Sequence, residues 1–157
     1  MTGVQTCALP IWNKLIAKYG QPVDLAALLE ATDAQLREAG LSRQKAGYAR
    51  SLAGLVLSGD LDLTNLPADD EQAIELLTKI KGIGRWSAEI YLLFAEGRGD
   101  VWPAGDLAVQ VEIGRLLGLA DRPSEKQLRE LAEAWRPHRG AAAVLAWHSY
   151  NNVGTAL

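Results

Sequence analysis

Apolar residues recur along this chain at helical spacing and nowhere at the strict alternation of a half-buried strand. Residues 12–20 are amphipathic and stop at Gly20. Asp24 is placed to cap an apolar stretch over 25–30. Thr32 and Gln35 have capping-box spacing ahead of a short helix closed by Gly40. Ser42 opens a longer helix that ends at Gly59, and residues 61–67 read as a turn-rich connector. Asp69 or Asp70 starts a helix running to Ile80, Lys81-Gly82-Ile83-Gly84 makes a tight turn, and residues 85–95 form a second helix. A loop over 96–105 leads to a helix over 106–119, broken by Asp121-Arg122-Pro123. Ser124 and Gln127 repeat the capping-box spacing before 128–135, and Pro137 separates these from a last apolar helix over 138–150. Residues 1–11 show no helical periodicity, so helix is expected only from Trp12 onward. No period repeats. The predicted class is all-α, with about nine short helices whose lengths favour an orthogonal array over a long bundle.

Composition narrows the function. At 48% hydrophobic and 22% charged residues the chain is a folded domain rather than a disordered one. No apolar run approaches the roughly 18 residues of a membrane span, and the N-terminus has no signal-peptide pattern, so the cytoplasm is the expected compartment. The single cysteine, Cys7, excludes a disulfide within the chain and a four-cysteine zinc or iron–sulfur site. His138 and His148 lack ligand spacing and a third ligand. A net charge of −3 argues against a charge-driven, nonspecific nucleic-acid binder. It leaves room for a protein that grips a few phosphates through backbone amides and a local basic face.

The turn at Gly82-Ile83-Gly84 has that character. Its glycines permit a left-handed backbone and close approach by another backbone. The helix after Gly84 points free N–H groups outward, and such an N-terminus binds phosphate. Lys79, Lys81 and Arg85 add positive charge, while Leu77, Ile80, Ile83 and Ala88 keep apolar spacing on either side. An ordinary αα-hairpin with solvated lysines is the plainer alternative. Asp106 stands directly before the next helix, after Val101-Trp102-Pro103-Ala104-Gly105. A fixed carboxylate there could stabilise an oxocarbenium-like transition state and orient a water. It is equally a good helix N-cap, and the two roles can coexist.

The stretch KGIGRWSAEIYLLFAEGRGDVWPAGDLAVQ (81–110) resembles the DNA-3-methyladenine glycosylase II family of the helix-hairpin-helix glycosylase superfamily. AEAWRPHRGAAAVLAWH and LREAGLSRQKAGYARSLA are similar to that family's segments after and before the hairpin. Three separated motifs in order, spanning Trp12 to Tyr150, make the resemblance specific. It implies a helix-hairpin-helix core in two helical lobes with a cleft, the hairpin lying within 70–95. It also implies a monofunctional enzyme that flips an alkylated base from duplex DNA and hydrolyses its N-glycosidic bond, the first step of base excision repair. Asp106 matches the catalytic aspartate. Lys81, Gly82, Ile83, Gly84, Arg85, Trp86 and Ser87 match the DNA-holding hairpin. Backbone carbonyls of Thr78, Ile80 and Ile83 match positions that ligate Na⁺ or K⁺, the only cofactor implied and not one the reaction requires. Trp86 stands where bifunctional relatives carry a lysine, and an indole cannot form the Schiff base of lyase chemistry. Trp86, Trp102, Tyr91 and His138 are the expected base pocket, since electron-poor alkylated purines stack on indole. Trp135 and Trp147 are pocket candidates too, but their apolar helix faces favour core packing. Trp86 and Trp102 are open between pocket and core, and Arg136 and Arg139 between DNA contact and salt bridge.

Two departures stand out. His138 replaces an aromatic after the W-x-P pattern. Residues 1–11 stand where the family has a helix and a segment supplying the wedge for the flipped base. They are expected to be a non-family segment ahead of a glycosylase domain at 12–157, and the chain an N-terminally truncated member acting as a monomer on damaged duplex DNA. In bacteria such an enzyme would associate with the nucleoid. A catalytically impaired DNA-binding hairpin module is the alternative, and a helical protein with no nucleic-acid role the third reading.

Overall fold

The computed structural model describes residues 2–152, with side chains from residue 9 onward. Among these the chain is helical throughout: α1 (Thr2–Tyr19), α2 (Leu25–Glu30), α3 (Asp33–Glu38), α4 (Arg43–Ser58), α5 (Asp70–Thr78), α6 (Arg85–Phe94), α7 (Leu107–Leu116), α8 (Glu125–Ala132), a 3₁₀ turn (Glu133–Trp135) and α9 (Arg139–Asn152). The predicted caps are in place. Asp24 accepts from the amides of Ala26 and Ala27, and Thr32–Gln35 and Ser124–Gln127 form complete capping boxes. Asp69, rather than Asp70, caps α5, through the amide of Gln72 at 2.9 Å.

The chain divides into two compact units, residues 1–68 with 75–82, and residues 69–74 with 83–157. In the first, α2, α3 and α4 enclose Leu28, Ala31, Leu36, Leu41, Ala46 and Ala53. Ala46 and Ala53 are two turns apart on one face of α4, and their small side chains let α2 approach it closely. α1 begins at Thr2 instead of Trp12 and continues through Pro10. Pro10 removes one i→i−4 hydrogen bond and blurs the periodicity. Ile11 and Leu15, however, pack on the unit's core, so the helical face starts before Trp12.

In the second unit α7 and α9 pack along Val109, Ile113, Ala143 and Ala146, and Leu128 and Ala132 of α8 complete the core. Trp102 is at its centre, 3% exposed, with its indole N–H donating to the Leu128 carbonyl at 3.2 Å and Trp135 edge-on to it at 5.4 Å. Burying an indole of roughly 200 Å² contributes on the order of 5 kcal/mol at most. α9 starts against the 96–105 loop: the Gly140 amide donates to the Gly99 carbonyl at 2.9 Å, and a Cβ on Gly140 would lie 2.7 Å from that oxygen. Only glycine permits this approach. None of the described helices is long and apolar enough to cross a membrane.

Candidate active site

Asp106 is the N-cap of α7, and its Oδ1 accepts the Val109 amide at 3.0 Å. Two indoles meet the same carboxylate. Trp86, in the first turn of α6, donates Nε1–H to Oδ2 at 2.9 Å. Trp147, on α9, donates Nε1–H to Oδ1 at 3.1 Å. Three N–H groups from three helices therefore fix both oxygens of a half-exposed carboxylate. Neither indole can take or release a proton at neutral pH, so each supplies the carboxylate with a hydrogen bond and nothing more. Trp86 is 47% exposed, and Phe94, 60% exposed, lies 5.7 Å from the Trp147 ring at a tilt of 31°. Trp86 thus exposes part of its ring beside the carboxylate, and Phe94 flanks Trp147.

The amides of the hairpin's second helix are open. Gly84 caps α6 in an extended conformation with no side-chain cap, and the first helical hydrogen bond runs from Ala88 to Gly84. The N–H groups of Arg85, Trp86 and Ser87 thus point away from the helix, as an anion site requires. Gly82 has φ +87°. Lys81 is exposed. Arg85 departs from the expected phosphate contact, because its guanidinium lies on Glu71 at 2.8 Å and on Glu89 at 2.9 Å.

The other expected pocket residues are not gathered there. Trp102 is core, which corrects its place in the base pocket: its ring is closed in by α8 and the 3₁₀ turn. Tyr91 is half-buried, burial and the Glu96 charge pushing its phenol up, and His138 is exposed in the turn before α9. Among the described residues no hydrogen bond or ring contact joins either to Asp106. Arg136 and Arg139 both close salt bridges to Asp100, at 2.7 and 2.9 Å, and to Glu133.

One contact and two residues of this region were not legible in the sequence. Trp147 packs on the core as predicted, yet its N–H reaches Asp106. Phe94 carried no signal beyond its spacing on α6. Glu89 is 1% exposed, its Oε1 accepting from Arg85 and from Arg129 of α8, both at 2.9 Å. The Arg85–Glu89 spacing of i,i+4 was a visible cue; Arg129, forty residues away, was not. Glu89 Oε2 is buried without a donor among the described residues, and burial raises this carboxyl above its ordinary value against the pull of the two arginines.

Residues 5–137 match the family model of the HhH-GPD superfamily of base excision DNA repair proteins. The chain is 37% identical over 115 residues to DNA-3-methyladenine glycosylase 1 of Schizosaccharomyces pombe, covering 71% of this chain and 50% of that protein. Its structure is similar to the crystal structure of a DNA-3-methyladenine glycosidase from Bacillus halodurans, with TM-score 0.85 and 32% identity over 99% of this chain and 72% of that one. It is also similar to a 3-methyladenine DNA glycosylase of S. pombe in complex with abasic DNA, with TM-score 0.74 and 28% identity over 96% and 75% of the two chains. The chain spans about half the length of the curated relatives it matches.

Proposed function

We infer, because the chain belongs to the HhH-GPD superfamily of base excision DNA repair proteins, in its DNA-3-methyladenine glycosylase II branch, that it hydrolyses the N-glycosidic bond of alkylated bases in duplex DNA. The observation that carries this reading is the Asp106 carboxylate, fixed by Trp86, Trp147 and the Val109 amide beside exposed aromatic faces. The open amides at the start of α6 hold the phosphate backbone. The lesion is flipped, at a cost of about a few kcal/mol that is smaller for a damaged base. It stacks on the exposed face of Trp86, where a cationic alkylated purine is favoured.

As the C1′–N bond breaks, its electron pair goes to the base, so a cationic base leaves neutral. The positive charge that develops on the sugar is met by Asp106. Water adds to C1′ and releases a proton, leaving an abasic site. Trp86 cannot supply the amine of a Schiff base, so no strand cleavage follows. This chemistry requires no cofactor. An alkali cation at the carbonyls of Thr78, Ile80 and Ile83 is implied by the resemblance. These neutral oxygens are hard donors of the kind such ions take, and none of them accepts a turn hydrogen bond among the described residues. A monomer acting on damaged duplex DNA in the cytoplasm, at the nucleoid in a bacterium, completes the reading. Its test is base release from methylated duplex DNA by the parent protein and by Asp106→Asn, which keeps the helix cap. The parent should release base and the variant should not; equal release by both would remove Asp106 from the chemistry.

A further inference from the structure

We propose that one face of α4, through Ser51 and Tyr48, positions the hairpin turn for its hold on DNA. The inference rests on reading the chain as a DNA glycosylase and adds residues that the motif itself does not contain. The hairpin's first helix ends at Thr78, and the amide of Lys81 beyond it needs an acceptor. It finds one thirty residues earlier, donating to Ser51 Oγ at 2.9 Å. The next residue, Gly82, is left-handed, and the Tyr48 ring lies directly against it: a Cβ built there would collide with Tyr48 Cε2. Gln44 Nε2 donates to the Tyr48 hydroxyl at 2.6 Å and holds the ring in that position.

Gln44, Tyr48 and Ser51 follow one another at i, i+4 and i+7, so a single face of α4 makes all of these contacts. They hold the Lys81 amide by a hydrogen bond and back the Gly82 Cα with a ring. The lysines there are the available charge of the turn. Lys79 and Lys81 are exposed and have no ion pair among the described residues, whereas Arg85 is held by Glu71 and Glu89. A turn that is already ordered loses less freedom when a phosphate docks. Ser51 therefore acts on binding, not on the bond that breaks.

The experiment uses the whole chain with Ser51→Ala, Ser51→Thr and Tyr48→Phe. Three quantities are measured: affinity for undamaged duplex DNA, the single-turnover rate of base release at saturating enzyme, and the melting temperature. Ser51→Ala should weaken duplex binding about five- to tenfold, the weight of one hydrogen bond, and leave the saturating rate within about twofold. Ser51→Thr should restore affinity, and Tyr48→Phe, which keeps the ring, should bind more tightly than Ser51→Ala. Parental affinity in Ser51→Ala overturns the proposal. So does a loss that follows a fall in melting temperature and is not rescued by threonine. A parent protein that fails to bind duplex DNA at low salt sinks the glycosylase reading itself, an outcome separable from these.

Discussion

Asp106 is a capping residue whose carboxylate is held more tightly than a cap requires. The Val109 amide would satisfy an ordinary N-cap; here two indole N–H groups add to it, and the carboxylate cannot rotate without breaking them. Trp147→Phe removes one such donor while keeping a ring against Phe94 and the α9 core. A hydrogen bond to a charged group contributes about 1.5–3 kcal/mol, so the single-turnover rate of base release should fall at least about tenfold with duplex affinity unchanged. An unaltered rate would reduce Trp147 to packing. The apolar face of α9 made its burial legible, but no one-dimensional pattern tells where the edge of a half-buried indole points. Trp102 is the converse case, equally aromatic and close in sequence to Asp106, yet turned into the core by its bond to Leu128. Glu89 gives a prediction in pH. Its folded-state carboxyl is raised by burial, so its contribution to stability is complete below the ordinary carboxylate value and is lost as pH rises through the raised one. Urea unfolding from pH 4 to 8 should therefore show Glu89→Gln gaining on the parent as pH increases. Glu71, held low by its hydrogen bond to Arg85, has the opposite sign, stabilising above its unfolded value and failing as acid protonates it. A gap between parent and Glu89→Gln that does not change with pH would contradict the assignment.

At the scale of elements, helix starts were the most legible feature, because Asp24, Thr32, Ser42, Ser124 and Asp106 each announce a cap two or three residues before their partners. α1 was not, since Pro10 interrupts the local pattern and the packing of Ile11 and Leu15 that extends the helix is tertiary. The 96–105 segment was correctly read as a loop, but its order was hidden. Asp100 is anchored by Arg136 and Arg139, 36 and 39 residues away, and Gly99 by the first turn of α9. That contact yields a prediction. Gly140→Ala sets a methyl 2.7 Å from a backbone oxygen and 2.6 Å from Leu93 Cδ1, and should cost about 1–3 kcal/mol in thermal or urea unfolding. A variant as stable as the parent would mean that α9 can move away from the loop freely. Gly82→Ala combines a left-handed backbone with the Tyr48 ring and should cost more than the same change at Gly84, where a Cβ meets no atom within 4 Å. Unfolding of the two variants side by side measures the difference, and equal costs would remove the Tyr48 contact from the account.

Across the whole molecule, charge is distributed in a way the net value of −3 conceals. In the second unit Arg85, Arg98, Arg115, Arg129, Arg136 and Arg139 each lie on a carboxylate, four of them around a polar cavity of about 50 Å³ that also holds Glu89. These arginines order structure. The exposed cations without an ion pair among the described residues include Lys79 and Lys81, on the hairpin itself. The motif residues that identify the family were legible because they are contiguous; the ion network and the second indole on Asp106 were not, because their partners come from distant parts of the chain. The most direct measurement is release of free base from methylated duplex DNA, with the parent protein and Asp106→Asn assayed side by side under single-turnover conditions and duplex binding measured for both. The parent should release base and leave alkali-labile abasic sites without enzymatic strand cleavage, and Asp106→Asn should bind duplex DNA but release no base. Release by both proteins, or strand cleavage by the parent without alkali, would contradict this.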